Sequence, residues 1–187
     1  MLSAHLDCLL PAPVPAHDLQ AARHLALLAA ITAASVPLLV LLYHWLAFDA
    51  AAIAVLCAGA VMAASPLLLR TGASLALASN TFIAALFVLK IWLAMHLGGL
   101  GAATTAWFAL CPLIAALLGG ARAAIVWSAL VFKVYVVLFL WDRLVGPLAP
   151  HPVRDGQVLA LAGQLGLLVL VTVVALCLAG KPAATSR

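Results

Sequence analysis

Glutamate is absent from this 187-residue chain, and charge of either sign is scarce: five acidic residues, nine basic ones, a charged fraction of 7%. A water-soluble domain carries charge on about a quarter of its residues, so an aqueous surface is excluded. Several enzyme classes can be set aside as well. There is no His-Glu-x-x-His pair, no Gly-x-Ser-x-Gly elbow and no Gly-Lys-Ser/Thr loop, the signatures of zinc peptidases, serine hydrolases and phosphate-binding loops. Asp7, Asp18, Asp49, Asp142 and Asp155 all fall outside the long apolar runs, which removes intramembrane aspartyl catalysis. A non-enzymatic role is expected. Cys8, Cys57, Cys111 and Cys177 lack any short spacing, and three lie in apolar runs where a thiol behaves as a small hydrophobe. Neither a disulfide framework nor a zinc site is indicated, and no cofactor is expected.

What remains is hydrocarbon: 68% of the residues are hydrophobic and the mean hydropathy is +1.28. At ~20 apolar residues per crossing, this material suffices for about six transmembrane helices and little more. The expected fold is therefore all-α, a polytopic integral membrane bundle with the lipid bilayer as its main partner. The net charge of +4 comes from cations scattered singly, which set topology rather than bind nucleic acid.

The apolar runs place the six crossings at about 25–48, 50–69, 73–95, 103–119, 123–141 and 157–179, between tails at 1–24 and 180–187. Pro11, Pro13 and Pro15 interrupt the first tail, which lacks the basic flank of a signal peptide. The breaks fall at Phe48-Asp49, at Arg70-Thr71-Gly72, at Gly98-Gly99-Leu100-Gly101, at Gly119-Gly120-Ala121-Arg122, and across a polar loop from Asp142 to Gly156. Arg23, Arg70, Arg122, Lys181 and Arg187 then share one side, against Arg143 and Arg154 on the other, so both termini are expected to be cytoplasmic. Trp45, Trp92, Trp107 and Trp141 fall toward the outer interface and Trp127 toward the inner. Gly59 with Ala63, Ala60 with Ala64, and Gly163 with Gly166 supply small residues for close helix packing. Pro37 and Pro112 fall mid-span in the first and fourth runs, a faint sign of an inverted repeat.

A few polar residues interrupt the runs. Lys133 lies near the centre of the fifth, where a charge costs at least ~3 kcal/mol, and no run contains an acid to pair with it. It either contacts a ligand in a bundle-centre pocket or snorkels along its alkyl stem. Lys90 lies close enough to the outer end of the third run to snorkel or to pair with Asp49 or Asp142. Ser79 is three helical turns from Lys90 on one face, and Asn80 can hydrogen-bond across helices. His44, His96 and His151 gather on the outer side, the single candidate haem or metal set, although interfacial imidazoles are also simply amphipathic. His5, His17 and His24 read as solvated tail residues.

The string GGLGAATTAWFALCPLIAALLGGARAAIVW at 98–127 resembles the central part of a six-helix membrane sensor domain found at the N-termini of some bacterial histidine kinases and nucleotide cyclases. The matching positions are Gly98, Gly99, Trp107, Pro112, Ala115, Gly119, Arg122 and Trp127. Leu97 stands where the family has Thr, and Ala103-Thr104 where it has Ser-Pro. The resemblance implies a bacterial inner-membrane sensor that passes a helix rearrangement to a cytoplasmic output domain or signalling partner. Since the stretch after the sixth run spans only Gly180 to Arg187, it implies a detached module or a separate partner. Its ligand is expected to be small or membrane-derived, bound by Lys133, Lys90, Asn80, Ser79 and Trp107. The alternatives are a small transporter or channel subunit, as a homodimer with Lys133 in the path, and an accessory subunit of a membrane complex using His44 and His96.

Overall fold

The computed structural model describes residues 18–102 and 104–179, with side chains as far as 177. Expectations for His5, Cys8, the Pro11–Pro15 stretch, His17, Lys181 and Arg187 lie outside the described residues. The described chain is helical throughout: α1 (Leu19–Trp45), α2 (Asp49–Ala64), the short α3 (Leu67–Arg70), α4 (Leu75–His96), 3-10 turns at Gly99–Gly101 and Thr105–Ala109, α5 (Leu110–Leu144) and α6 (Gly156–Ala179). Five segments are long and apolar enough to cross a bilayer: Leu19–Trp45, Asp49–Arg70, Leu75–His96, Thr105–Leu144 and Gly156–Cys177. The fourth and fifth expected runs thus form one segment of 40 residues.

That segment is not a straight rod. Thirty residues of α-helix extend about 45 Å, yet the Tyr135 hydroxyl donates to the Thr105 carbonyl at 3.0 Å. The Tyr135 ring also packs edge-on against Phe108, 5.7 Å between centroids. The chain must double back midway, and there Gly120 has φ +74° and ψ −168°, a region essentially confined to glycine. Helix α5 is therefore two antiparallel legs, 110–119 and 121–144. Its first leg is the axis of the bundle, with Leu110, Cys111, Ile114 and Ala115 fully buried, as is Phe108 in the turn before it. Pro112 sits in the first turn of α5, where a missing N–H takes nothing from the helical ladder.

The α1–α2 hairpin is closed by backbone geometry. The Ala47 N–H donates to the His44 carbonyl at 3.0 Å and the Phe48 N–H to the Tyr43 carbonyl at 2.9 Å. This is the paired pattern of a Schellman cap, completed by an apolar contact between the flanking residues, here the Tyr43 and Phe48 rings at 6.3 Å. The left-handed position is Ala47, φ +59°. Phe48 is not an exposed corner but is 2% exposed, between Trp92 and His151. Gly59 lies against α1 so closely that a Cβ would overlap the Val36 side chain, which is the use expected of a small residue here. Helix α1 also begins earlier than the first apolar run, so His24 is a half-buried helical residue rather than part of a solvated tail.

Two substitutions test these turns. Ala47→Gly relieves a left-handed alanine and is expected to stabilise the protein by up to ~1 kcal/mol, whereas Gly120→Ala is expected to destabilise it by roughly 1–3 kcal/mol. Thermal unfolding in mild detergent reads both as opposite shifts in Tm.

Candidate functional site

An elongated cavity of about 360 Å³ lies between α1 and α6. One wall is α1 from Leu28 to Tyr43, the other is α6 from Leu159 to Leu170, and the back is formed by Lys90 on α4 with Thr104 and Trp107. Sixteen helical residues of wall correspond to ~24 Å, most of a bilayer's hydrocarbon thickness. The lining is apolar along this length. Thr32 and Ser35 face it as well, but their hydroxyls are spent on the Leu28 and Ile31 carbonyls, at 2.9 and 2.7 Å.

Polar capacity is concentrated at one end. Lys90 is 7% exposed and Thr104 4%, and the Thr104 hydroxyl has no hydrogen-bond partner. The Lys90 ammonium sits 4.1 Å from the centroid of the Trp107 ring, a cation–π contact that partly replaces lost hydration. It forms no ion pair with Asp49 or Asp142, the acids expected to meet it at the rim. Asp49 is held by His44 instead, Nδ1 to Oδ1 at 2.6 Å. Burial of Lys90 follows from helical phase: Leu86, Leu93 and Ala94, four residues before and three and four after, are buried on the same face of α4.

Trp107 also ties down the outer wall. Its indole N–H donates to the Gly163 carbonyl at 3.1 Å, and a Cβ on Gly166 would stand 3.0 Å from its ring. The spacing read as a seat for a neighbouring helix backbone is therefore a seat for an indole. Leu159 and Val174, 9% and 1% exposed, anchor α6 elsewhere, and only 11% of the helix is buried within the bundle.

The remaining expected site residues are dispersed. Lys133 is exposed and lies outside this cavity, beside a shallow cleft of about 270 Å³ formed with Ile91, Met95 and Trp141. It does not occupy a bundle-centre pocket. Ser79 is buried without a partner but does not line the cavity, and Asn80 accepts from the Trp127 indole at 3.0 Å. Trp127, expected at an interface, is 8% exposed.

His44, His96 and His151 do share one end of the bundle. His151 stacks on Phe48 at 4.2 Å and His96 on Trp92 at 4.1 Å, while the His151 N–H donates to the His96 carbonyl at 2.8 Å and the Arg154 N–H to the Leu46 carbonyl at 3.0 Å. The imidazoles thus cap the bundle and hold the 145–156 loop across it. Among the described residues, no three His, Cys, Asp or Glu side chains come together as a metal site. Thr104, Thr105 and Tyr135 were not singled out in the sequence; a tyrosine in the middle of an apolar run, whose hydroxyl must find a partner, was the available signal.

Compared with family models, with curated proteins and with solved structures, the chain matches none of them.

Trp107→Phe keeps an aromatic ring over Lys90 but removes the bond to Gly163. Hydrogen exchange along 156–179 is expected to quicken about fivefold, the equivalent of ~1 kcal/mol for one interhelical hydrogen bond, with exchange in α4 unchanged.

Proposed function

We propose that the chain is a non-enzymatic, six-crossing sensor module of the bacterial inner membrane, in which a ligand bound between α1 and α6 repositions α6. The observation that carries this reading is the cavity itself: one of its two long walls is the least buried crossing helix, pinned at Trp107. A ligand that widens or narrows the cavity changes the position of α6 at little cost in core packing. Helix α6 delivers that change to a cytoplasmic output domain or signalling partner, as the resemblance at 98–127 implies.

The reversal at Gly120 supports six crossings. The second leg of α5 extends about 36 Å and the first, with its 3-10 turn, about 25 Å, against a hydrocarbon thickness of ~30 Å. Cytoplasmic termini are supported by charge. Arg23, Arg70 and Arg122 mark the end of the bundle opposite the His44–His151 cap, as the positive-inside rule requires. The exposed position of Lys133 counts against a transport path through the centre of a single chain.

Pulsed electron paramagnetic resonance tests the reading, with spin labels at Ala34→Cys and Leu168→Cys in a chain whose native cysteines are replaced by alanine. Both positions are off the cavity wall. In nanodiscs of a single neutral lipid, addition of total inner-membrane lipid extract is expected to shift the α1–α6 distance by about 2 Å, the scale of helix shifts in switching proteins. Ala162→Phe, which fills the cavity, is expected to abolish the shift. A distance that no membrane fraction alters would overturn the reading.

A further inference from the structure

We propose that the cavity between α1 and α6 binds a single-chain fatty acid, its carboxylate between Lys90 and Thr104 and its hydrocarbon tail along the α1 and α6 walls. The inference rests on the sensor reading and names the ligand class of that site.

Charge is the first argument. Lys90 is more than nine-tenths buried, and among the described residues it has neither a carboxylate nor a hydrogen-bonding partner; its neighbours are the Trp107 ring and the buried Cys111 thiol, neither of which brings a formal counter-charge. A buried cation without a counter-charge is costly, and a ligand anion supplies what the chain lacks. The Thr104 hydroxyl is a second unsatisfied donor lining the same cavity. One ammonium and one hydroxyl match the single charge and two oxygens of a carboxylate.

Shape is the second argument. The lining runs from Leu28 to Tyr43 along α1 and from Leu159 to Leu170 along α6, long and apolar, whereas a volume of about 360 Å³ stands near the lower limit for small-molecule pockets. A long, largely apolar space of this volume with one cationic end fits one acyl chain. Depth agrees. Lys90 is six residues from the end of α4, ~9 Å along the helix, which places the head just below the interface with the tail directed toward the bilayer centre.

The test is native mass spectrometry of the full chain from an uncharged detergent, titrated with palmitate, methyl palmitate and palmitoyl lysophosphatidate. Wild type is expected to bind palmitate at least tenfold more tightly than the methyl ester. Lys90→Met should erase that preference, Thr104→Val should reduce it severalfold, and Lys133→Met, a cation removed outside the cavity, should leave it intact. Replacing a buried charge by an apolar side chain of similar volume is commonly neutral or stabilising, so Lys90→Met is expected to keep its fold, checked by Tm. Equal binding of acid and ester, or a preference that survives Lys90→Met, overturns the proposal. A Lys90-dependent preference for lysophosphatidate over palmitate overturns the carboxylate assignment. If membrane extract moves α6 but no palmitate binds, the ligand class fails and the sensor reading stands; if α6 does not move for any fraction, the sensor reading itself fails.

Discussion

The Tyr135 hydroxyl on the Thr105 carbonyl is the contact on which the bundle depends. Buried backbone carbonyls need partners, and the chain between α4 and α5 leaves regular helix for 3-10 turns. Side chains supply partners there. The Thr105 hydroxyl donates to the Gly99 carbonyl at 3.0 Å and Tyr135 to the Thr105 carbonyl, so an irregular segment is tolerated next to the bundle core. The same bond fixes where the second leg of α5 returns, and hence where the hairpin at Gly120 must turn. Phe108 and Tyr135 then pack as rings beside it.

That irregular segment is also what creates the cavity. A regular helix through 99–109 would present side chains at fixed angular intervals, whereas the 3-10 turns bring Thr104 and Trp107 to the back of the space between α1 and α6. Trp107 serves two neighbours at once: its face meets the Lys90 ammonium and its N–H holds Gly163. A change at the cationic end of the cavity is thereby felt directly by the helix forming its outer wall. The cavity, the cation and the least buried helix share one indole.

Much of the helical plan is legible in the sequence because lipid imposes a simple rule: long apolar runs, ended where glycine or charge accumulates. The Gly119-Gly120 pair marks a break, and the structure puts a left-handed residue there. Small residues at Gly59, Gly163 and Gly166 mark close approaches, though what approaches the last two is an indole and not a helix. The capping of the bundle by the 145–156 loop is not legible, because it depends on ring stacking between residues as far apart as Phe48 and His151. Nor is the cavity, since an apolar lining reads in sequence like any lipid-facing surface.

The two intramembrane lysines show most clearly where one-dimensional reasoning stops. By depth alone Lys133 is the costlier charge and the better candidate for a site, whereas Lys90 is near enough to an end to snorkel. Phase reverses that order. Tyr135 must face inward to reach Thr105, and two residues at 100° each put Lys133 nearly opposite it, on the outer surface of the second leg. Lys90 instead shares the buried face of α4 with Leu86, Leu93 and Ala94, and its ammonium lies against the Trp107 ring despite its short distance from the end of the helix. A single inward-facing hydroxyl therefore decides which cation lies on the outer surface of the bundle and which is buried beside the cavity.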